Sequence, residues 1–392
     1  MIPKTMRAAV YRGPNDLRSE TVPVPRIGPN DLLVKVAVCG VCPTDIKKIQ
    51  YGTVPPPRIF GHETAGTIVK IGGGRSELQT SNFKLRIGDR VALHHHVPCL
   101  RCHACRHGAF AQCETYKKTG ITAGFEPAGG GFAEYVRVMP VVLPGVVKIP
   151  GRNSFEEGAM LEPVNTVLKA VKRLALLPGD NVLVAGQGPI GLMFTRLLQL
   201  QGMNVLATDL LDARLRLARQ FGAKWAVKPT EIEKIQNSKF KTQKSLDAAV
   251  LAVPSDDALR QAMQLVRGAG QILLFAHTKR ATGAPSPWRE GGVGEQAGQA
   301  HSRQDSADHK PGEGYFPLDL ATICVDEKDL IGSYSADFTL QKEVARLVFS
   351  RKLDVRPLIS HRFDLDQAAD AVNLAASPTP DSLKVLVQSA RV

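Results

Sequence analysis

Residues 182–191 of this 392-residue chain are Val-Leu-Val-Ala-Gly-Gln-Gly-Pro-Ile-Gly, and they decide how the second half of the chain folds. An apolar run typical of a buried strand leads into the three glycines, and a helical pattern follows them. Gly186 permits a tight turn, Gly188 lets a pyrophosphate approach the backbone, and Gly191 allows the helix to pack on the strand. The motif predicts a dinucleotide site, and a glycine turn without a nucleotide is the alternative that this setting disfavours.

The residues around this turn indicate which dinucleotide is bound. Pro189 and Ile190 begin the predicted helix, whose N-terminus favours the negative charge of the phosphates. Asp209 directly follows the next predicted strand, 204–208, and its carboxylate would accept hydrogen bonds from a ribose 2′-hydroxyl and repel a 2′-phosphate. The sequence therefore favours NAD(H) over NADP(H), although the nearby cation Arg214 weakens this preference.

The pattern of apolar residues divides the chain into a β-rich part and a part in which strands and helices alternate. The β-rich part has predicted strands at 32–38, 64–71, 89–93 and 132–138, and a helix over 154–174 that opens with Ser154, Glu156 and Glu157. The alternating part has predicted strands at 181–185, 204–208, 246–251, 271–275, 330–334 and 383–387, and helices at 189–201, 212–221, 340–351 and 366–375. Such alternation predicts a parallel, doubly wound sheet, so the fold class is α/β.

The length of the chain predicts two domains, because 392 residues exceed what one ordinary hydrophobic core holds together. We expect a β-rich domain over residues 1–160 and a dinucleotide-binding domain over residues 161–300. Residues 280–314 are rich in Gly, Ala, Ser and Pro without periodicity, which predicts a mobile insertion. The regular pattern resumes in a C-terminal segment, 315–392.

Charge and hydropathy disfavour a nucleic-acid or membrane partner. The net charge is +13, but the basic residues are spread along the chain, and only 6% of residues are aromatic. The densest basic run, 234–244, is typical of a solvated surface segment. There is no apolar stretch of the roughly 20 residues that a membrane span needs, and no pattern of a signal peptide. We therefore expect a cytoplasmic protein.

Four of the seven cysteines lie close together in the order Cys99-x-x-Cys102-x-x-Cys105-x7-Cys113. Such spacing without an export signal favours metal ligation over disulfides. Four thiolates on one loop can surround zinc tetrahedrally at about 2.3 Å, and a fully protein-ligated zinc is structural. An iron–sulfur cluster is the alternative, because thiolates also bind iron. A zinc-ribbon module that binds nucleic acid is disfavoured, since no basic and aromatic helix follows.

A second, dispersed set of possible ligands comprises Cys42, His62, Glu63 and Glu162. Each residue alone is most often structural, but their contexts are distinctive: residues 40–45 are Gly-Val-Cys-Pro-Thr-Asp, residues 61–63 are Gly-His-Glu, and residues 161–163 are Leu-Glu-Pro. One thiolate, one imidazole and one carboxylate around zinc leave an open position, as catalytic zinc sites do. An alcohol entering that position would lose its proton more easily.

With these three motifs in this order, the chain resembles the zinc-containing medium-chain dehydrogenase/reductase family, and within it the sorbitol and threonine dehydrogenase branches. The resemblance covers nearly the whole chain. It implies a GroES-like catalytic domain completed by the C-terminal segment, a Rossmann domain between them, and an active site in the cleft. It also implies a catalytic and a structural zinc, NAD(H), a small-molecule alcohol substrate, and a homodimer or homotetramer.

The resemblance assigns roles to individual residues. Cys42 and His62 match the ligands of the catalytic zinc, and Glu63 and Glu162 match carboxylates that bind the metal directly or through water. Thr44 matches the hydroxyl that relays the substrate proton. Asp45 matches a residue that holds the active-site loop, and His96 matches a histidine near the substrate in threonine dehydrogenases. The four-cysteine loop, about residues 94–115, matches the structural zinc lobe.

Two departures from the family pattern stand out. Many relatives carry a histidine shortly after the Ser/Thr-Asp pair as the outer end of the proton relay, but this chain has Ile46, Lys47 and Lys48 there. The insertion at 280–314 is also longer than the family norm.

The sequence thus predicts hydride transfer between NAD and a secondary alcohol, polyol or sugar derivative. The alternatives are an amino-alcohol or L-threonine dehydrogenase, to which His96 points, and a binding protein that keeps only the fold. The second alternative would expect Cys42, His62 or Glu162 to be lost, yet the sequence has all three.

Overall fold

The computed structural model describes residues 1–80, 84–94, 97–115, 129–232, 246–276 and 318–389. Three predictions lie outside these residues: the basic segment 234–244, the role of His96, and the insertion 280–314. None of the helices in the described ranges is both long and apolar enough to cross a membrane.

The first part of the chain is rich in β-structure, as the short apolar runs between its Gly and Pro turns predict. Its strands are β1 (Thr5–Gly13), β2 (Asp16–Pro23), β3 (Leu32–Gly40), β4 (Arg58–Ile59), β5 (Glu63–Ile71), β6 (Glu77–Gln79), β7 (Lys84–Arg86), β8 (Arg90–Ala92), β9 (Tyr135–Val138) and β10 (Val147–Lys148). Its helices are α1 (Pro43–Tyr51), α2 (His103–Arg106) and α3 (Phe155–Ala159).

The second part alternates between strands and helices. Its strands are β11 (Asn181–Ala185), β12 (Asn204–Thr208), β13 (Trp225–Val227), β14 (Leu246–Leu251), β15 (Val266–Leu274), β16 (Asp329–Gly332), β17 (Ile359–Asp364) and β18 (Lys384–Gln388). Its helices are α4 (Leu161–Val171), α5 (Pro189–Leu200), α6 (Asp212–Gln220), α7 (Asp256–Leu265), α8 (Leu320–Cys324), α9 (Gln341–Phe349) and α10 (Ala368–Ala376). Short 3₁₀ turns lie at Phe110–Gln112, Pro140–Gly145, Pro229–Glu231, Phe338–Leu340, Arg356–Leu358 and Leu365–Gln367.

Two large sheets organise these elements. A parallel sheet has the strand order β13–β12–β11–β14–β15–β16, which is the doubly wound order of a Rossmann domain. The predicted α/β fold class is therefore confirmed. The main sheet of the β-rich part has the order β10–β8–β5–β3–β18–β17, with β9 also paired to β3. The last strand of the chain, β18, thus lies antiparallel against β3.

The helix predicted over 154–174 is divided into α3 and α4. Ser154 caps α3 as predicted: its hydroxyl accepts from the Glu157 N–H at 3.1 Å, and its own N–H donates to the Glu157 carboxylate at 2.8 Å. Pro163 explains the division, because its ring would clash with the carbonyl of Ala159, where α3 ends. The apolar face of α4 lies in one continuous core that includes side chains of both sheets.

Candidate active site

Three side chains with metal-ligating atoms converge where the end of β3 lies beside the start of β5. Cys42 is the N-cap of α1, just after β3 ends at Gly40. Gly40 pairs with Glu63, the first residue of β5, and His62 precedes Glu63 in the chain. The Cys42 thiol, a His62 ring nitrogen and a Glu63 carboxylate oxygen consequently all lie within 4.8 Å of one another.

A buried carboxylate supports His62. Asp45 Oδ1 lies 3.2 Å from His62 Nδ1, and the Asp45 side chain is fully buried. Burial would lower the pKa of His62, but the charges of Asp45 and Cys42 together outweigh burial and raise that pKa well above its ordinary value. Because Nδ1 faces Asp45, Nε2 is the ring nitrogen left to bind a metal.

The first turn of α1 also brings a hydroxyl to the site. Thr44 Oγ1 lies 2.7 Å from Cys42 Sγ. A hydroxyl at this distance can donate to a thiolate and can also accept a proton from a molecule bound beside it. The structure therefore places Cys42, Thr44, Asp45, His62 and Glu63 in one cluster.

Lys384 is a buried cation in the cluster that the sequence analysis did not identify. The first residue of β18, it forms an ion pair with Glu63 Oε2 and donates to the Val41 carbonyl at 3.0 Å. Burial alone would lower the pKa of Lys384, yet Glu63 and Cys42 raise it, so the side chain stays charged. Gly40 leaves the space for this pair, because a Cβ there would lie 1.9 Å from Glu63 Oε2.

Glu162 faces the same cluster from the first turn of α4. It is buried, but it does not belong to the group of ligand atoms that Cys42, His62 and Glu63 form in the described residues. Burial raises the pKa of Glu162 to about 7, a rise that the charges of His62 and Lys384 oppose. The Thr166 hydroxyl, one turn along the helix, lies 3.4 Å from its carboxylate.

The four-cysteine loop has a geometry that fits one metal ion. The four sulfur atoms all lie within 4.8 Å of one another, and Cys99 Sγ is 4.0 Å from Cys105 Sγ. Sulfurs around tetrahedral zinc lie about 3.8 Å apart when the Zn–S bonds are about 2.3 Å. Backbone N–H groups of Arg101 and Cys102 lower the pKa of Cys99 to about 6, which favours the thiolate that binds metals.

The glycine turn has the conformation that its sequence predicts. Gly186 has a φ of +87°, which favours glycine, and a Cβ on Gly191 would lie only 1.8 Å from the Gly186 carbonyl oxygen. A Cβ on Gly188 would meet nothing within 4 Å. There is thus open space beside the backbone at the N-terminus of α5, which begins with Pro189 and Ile190 and can receive a phosphate group.

Asp209 follows directly after β12 and supports this turn. One of its carboxylate oxygens accepts from the Gln187 N–H at 2.7 Å, and the other accepts from the Leu211 N–H at 2.9 Å. Arg214 lies 3.9 Å from the carboxylate and so partly offsets its charge. The side chain of Gln187 also supports the turn, because it donates to the Val184 carbonyl and accepts from the Thr195 hydroxyl. The sequence analysis did not predict this role.

Comparison with known proteins gives matches along most of the chain. The sequence profile of the alcohol dehydrogenase GroES-like domain matches residues 28–151, and that of the zinc-binding dehydrogenase domain matches residues 189–289. Sorbitol dehydrogenase of Bacillus subtilis (strain 168) is 28% identical over 393 aligned positions, which cover 98% of each chain. "Probable D-xylulose reductase A" of Aspergillus fumigatus is 29% identical over 374 positions, which cover 92% of this chain and 91% of that one.

Solved structures give the same picture of the fold. The crystal structure of galactitol-1-phosphate dehydrogenase from Escherichia coli superposes with a TM-score of 0.74 at 26% identity, covering 98% of this chain and 100% of that chain.

Proposed function

This chain belongs to the zinc-containing medium-chain dehydrogenase/reductase family, and from that membership we propose that it transfers hydride between a polyol and NAD(H). It is an oxidoreductase that acts on the CH–OH group of an alcohol. The observation that carries the proposal is the cluster of Cys42, His62 and Glu63, whose ligand atoms lie within 4.8 Å of one another.

The two groups of ligand atoms would hold two zinc ions of different function. Cys42 and His62, with a carboxylate from Glu63 or Glu162, would hold a zinc with an open position for substrate. Glu63 lies within 4.8 Å of the other two ligand atoms but is ion-paired with Lys384, so either carboxylate can complete the ligand set. Cys99, Cys102, Cys105 and Cys113 would hold a structural zinc.

The residues of the cluster position the reacting groups and move a proton. When bound, zinc supplies a Lewis acid that favours the deprotonated alcohol, and NAD supplies the hydride acceptor. Asp45 fixes the orientation of His62 through its Nδ1 contact. Thr44 would relay the proton of the alcohol: its hydroxyl, which lies beside Cys42, accepts that proton as it passes its own proton on toward solvent. The outward route from Thr44 lacks the histidine common in relatives.

The glycine turn and Asp209 would bind the cofactor. The open space at Gly188 accommodates the pyrophosphate, and the carboxylate of Asp209 at the end of β12 favours a free ribose 2′-hydroxyl. NAD(H) is therefore the preferred cofactor, with Arg214 reducing the margin over NADP(H).

A polyol is the substrate class that the relatives favour over L-threonine. Sorbitol and D-xylulose appear in the names of the two similar proteins, and the Gly-His-Glu and Leu-Glu-Pro contexts resemble the polyol branch. His96, the single pointer to an amino alcohol, lies outside the described residues. A homodimer or homotetramer in the cytoplasm remains our expectation from the family.

The test is NAD⁺ reduction by purified protein with D-sorbitol, xylitol, sugar-alcohol phosphates, 2-butanol and L-threonine. We expect turnover of a polyol that chelation abolishes and zinc restores, and slower turnover with NADP⁺. Turnover of L-threonine alone would replace the substrate class, and turnover insensitive to chelation would refute the role of zinc.

A further inference from the structure

Lys384 reaches the metal-ligand cluster from the last strand of the chain. It is the first residue of β18, which lies antiparallel against β3. Just beyond the end of β3, the Val41 N–H donates to the carbonyl of Val385 at 3.0 Å. This pairing places Lys384 beside Val41, which directly precedes Cys42 in the chain.

The ammonium group of Lys384 is held at two points. It donates to the Val41 carbonyl at 3.0 Å and forms an ion pair with Glu63 Oε2. Both side chains of the pair are buried, with 7% of Lys384 and 2% of Glu63 exposed. A Cβ on Gly40 would lie 2.9 Å from Lys384 Cε and 1.9 Å from Glu63 Oε2, so glycine is needed where the two side chains meet. Packing and the ion pair thus hold Lys384 on the Glu63 carboxylate.

The proposed zinc site has more candidate ligands than it needs. Cys42, His62 and Glu63 have ligand atoms within 4.8 Å of one another, which one zinc ion can bridge after small side-chain shifts because its bonds are about 2.0–2.3 Å long. Glu162 is also buried, and it lies in the first turn of α4, which packs against β5. Glu63 is the first residue of β5, so carboxylates from two elements in contact are available.

Binding of both carboxylates would close the zinc site. Together with Cys42 and His62 they would make four protein ligands, which is the arrangement of a structural zinc and leaves no position for an alcohol. Lys384 opposes this closure, because its positive charge repels Zn²⁺ and compensates the negative charge that Glu63 would offer to the metal. Were Glu63 to move onto the zinc, the buried ammonium group would lose its partner, which is costly in such surroundings.

We propose that Lys384 is a positioning residue that prevents Glu63 and Glu162 from binding the zinc at the same time, and so keeps one coordination position open for the alcohol. This inference rests on the proposed function, which assigns zinc to Cys42, His62 and one of these carboxylates. Removal of the cation should make the site bind zinc more tightly and accept outside ligands less readily. A lysine that only stabilises the fold would give the opposite result, because its loss would loosen the site and weaken zinc binding.

The first test measures the zinc affinity of Lys384→Met by competition with a chelator. Without the cation both carboxylates can bind, so the dissociation constant of the catalytic zinc should fall about 10- to 100-fold, the range in which residues behind the ligands alter metal affinity. Lys384→Gln should behave in the same way, and it keeps a group that can donate to the Val41 carbonyl, so it serves where Lys384→Met does not fold. Lys384→Arg, which keeps the positive charge, should retain the wild-type dissociation constant.

The second test detects the open coordination position directly. With Co²⁺ in place of zinc, added imidazole changes the visible absorption spectrum only at a metal that has a position for it. The four-cysteine loop does not respond, because its four thiolates fill the coordination sphere. The wild-type protein should respond to imidazole, and Lys384→Met should not. The double variant Lys384→Met/Glu63→Gln should respond again, since one of the two carboxylates is gone and no buried charge of the pair is left.

Lys328→Met is the matched control, because Lys328 is another buried lysine in an ion pair. Its side chain is 1% exposed, pairs with Asp326 at 3.3 Å and donates to the Met263 carbonyl at 2.6 Å. Neither partner belongs to the metal-ligand cluster. Loss of this lysine should lower the urea midpoint, but it should leave the zinc affinity and the response to imidazole at wild-type values.

Neither test needs turnover, which separates this inference from the proposed function. If the wild-type protein oxidises no alcohol, the proposed function fails, but tighter zinc binding and a lost imidazole response in Lys384→Met still support the role of Lys384. Unchanged or weaker zinc binding in Lys384→Met and Lys384→Gln, an imidazole response that persists in Lys384→Met, or the same changes in Lys328→Met would each overturn it.

Discussion

Alanine substitution at two glycines of the 186–191 turn should separate cofactor binding from folding. Gly188 has a φ of −68°, which any residue adopts, and a Cβ there meets nothing within 4 Å. Gly188→Ala should therefore leave the free energy of unfolding within about 0.5 kcal/mol of the wild-type value, as substitutions that create neither a clash nor backbone strain usually do. The added methyl would nevertheless fill the space that a pyrophosphate needs.

Gly191→Ala differs because its new Cβ would meet backbone. The Cβ would lie 1.8 Å from the Gly186 carbonyl oxygen, well inside the 3.0 Å limit of such contacts, and a carbonyl cannot rotate away as a side chain can. The helix and the strand must move apart by roughly 1 Å, and overpacking of this kind typically costs about 1–3 kcal/mol. We expect this loss in the free energy of unfolding, together with weaker NADH binding.

The assays are urea unfolding followed by circular dichroism and NADH titration followed by fluorescence. We expect Gly188→Ala to raise the NADH Kd by about 10- to 100-fold, or roughly 1.4–2.8 kcal/mol, without loss of stability. An unchanged Kd in Gly188→Ala would refute the placement of the pyrophosphate. An unchanged free energy of unfolding in Gly191→Ala would refute the packing argument.

Three further predictions concern other parts of the chain. Cys113→Ser should remove about one zinc per chain, measured by metal analysis, and lower the urea midpoint, because structural zinc needs all four ligands; an unchanged zinc content would contradict this. Burial tends to raise the pKa of Glu157, but the Ser154 N–H, Arg351 and Asn153 together lower it below its ordinary value of 4.5. The ionised Glu157 side chain therefore contributes its full stabilisation above pH 4.5 and loses it as the pH falls through the lowered pKa. Glu157→Gln should therefore unfold with about 1–3 kcal/mol less free energy at pH 7, a difference that shrinks in acid; a difference independent of pH would argue against this linkage. Asp209→Asn should narrow the preference for NAD⁺ over NADP⁺ by about tenfold, because the charge that repels the 2′-phosphate is gone. Steady-state kinetics with both cofactors measures this preference, and an unchanged ratio of the two kcat/KM values would contradict the role of Asp209.

Features that a short stretch of sequence determines could be predicted from the sequence. The turn at 186–191 is one, because glycine is the residue that permits its φ and its close contacts. The four-cysteine loop is another, because nearby thiols on one loop are necessarily close in space. The parallel, doubly wound sheet follows from the alternation of strands and helices, which leaves few topologies.

Contacts between distant parts of the chain that no motif marks could not be predicted. Lys384 pairs with Glu63 because β18 lies against β3, and nothing near Lys384 in the sequence indicates that pairing. The hydrogen bond from Lys169 to the Tyr334 carbonyl likewise joins residues that are more than 150 positions apart in the chain. The division between α3 and α4 was predictable, since Pro163 disfavours a continuous helix, but the apolar pattern alone did not reveal it.

The zinc content and activity of the wild-type protein and of Cys42→Ser test the central claim most directly. We predict about two zinc ions per wild-type chain and about one in Cys42→Ser, with the remaining zinc in the four-cysteine loop. The variant should stay folded and bind NADH, yet lose the NAD⁺ reduction that a polyol supports. A Cys42→Ser protein that keeps the wild-type zinc content and oxidises D-sorbitol at the wild-type rate would contradict the account.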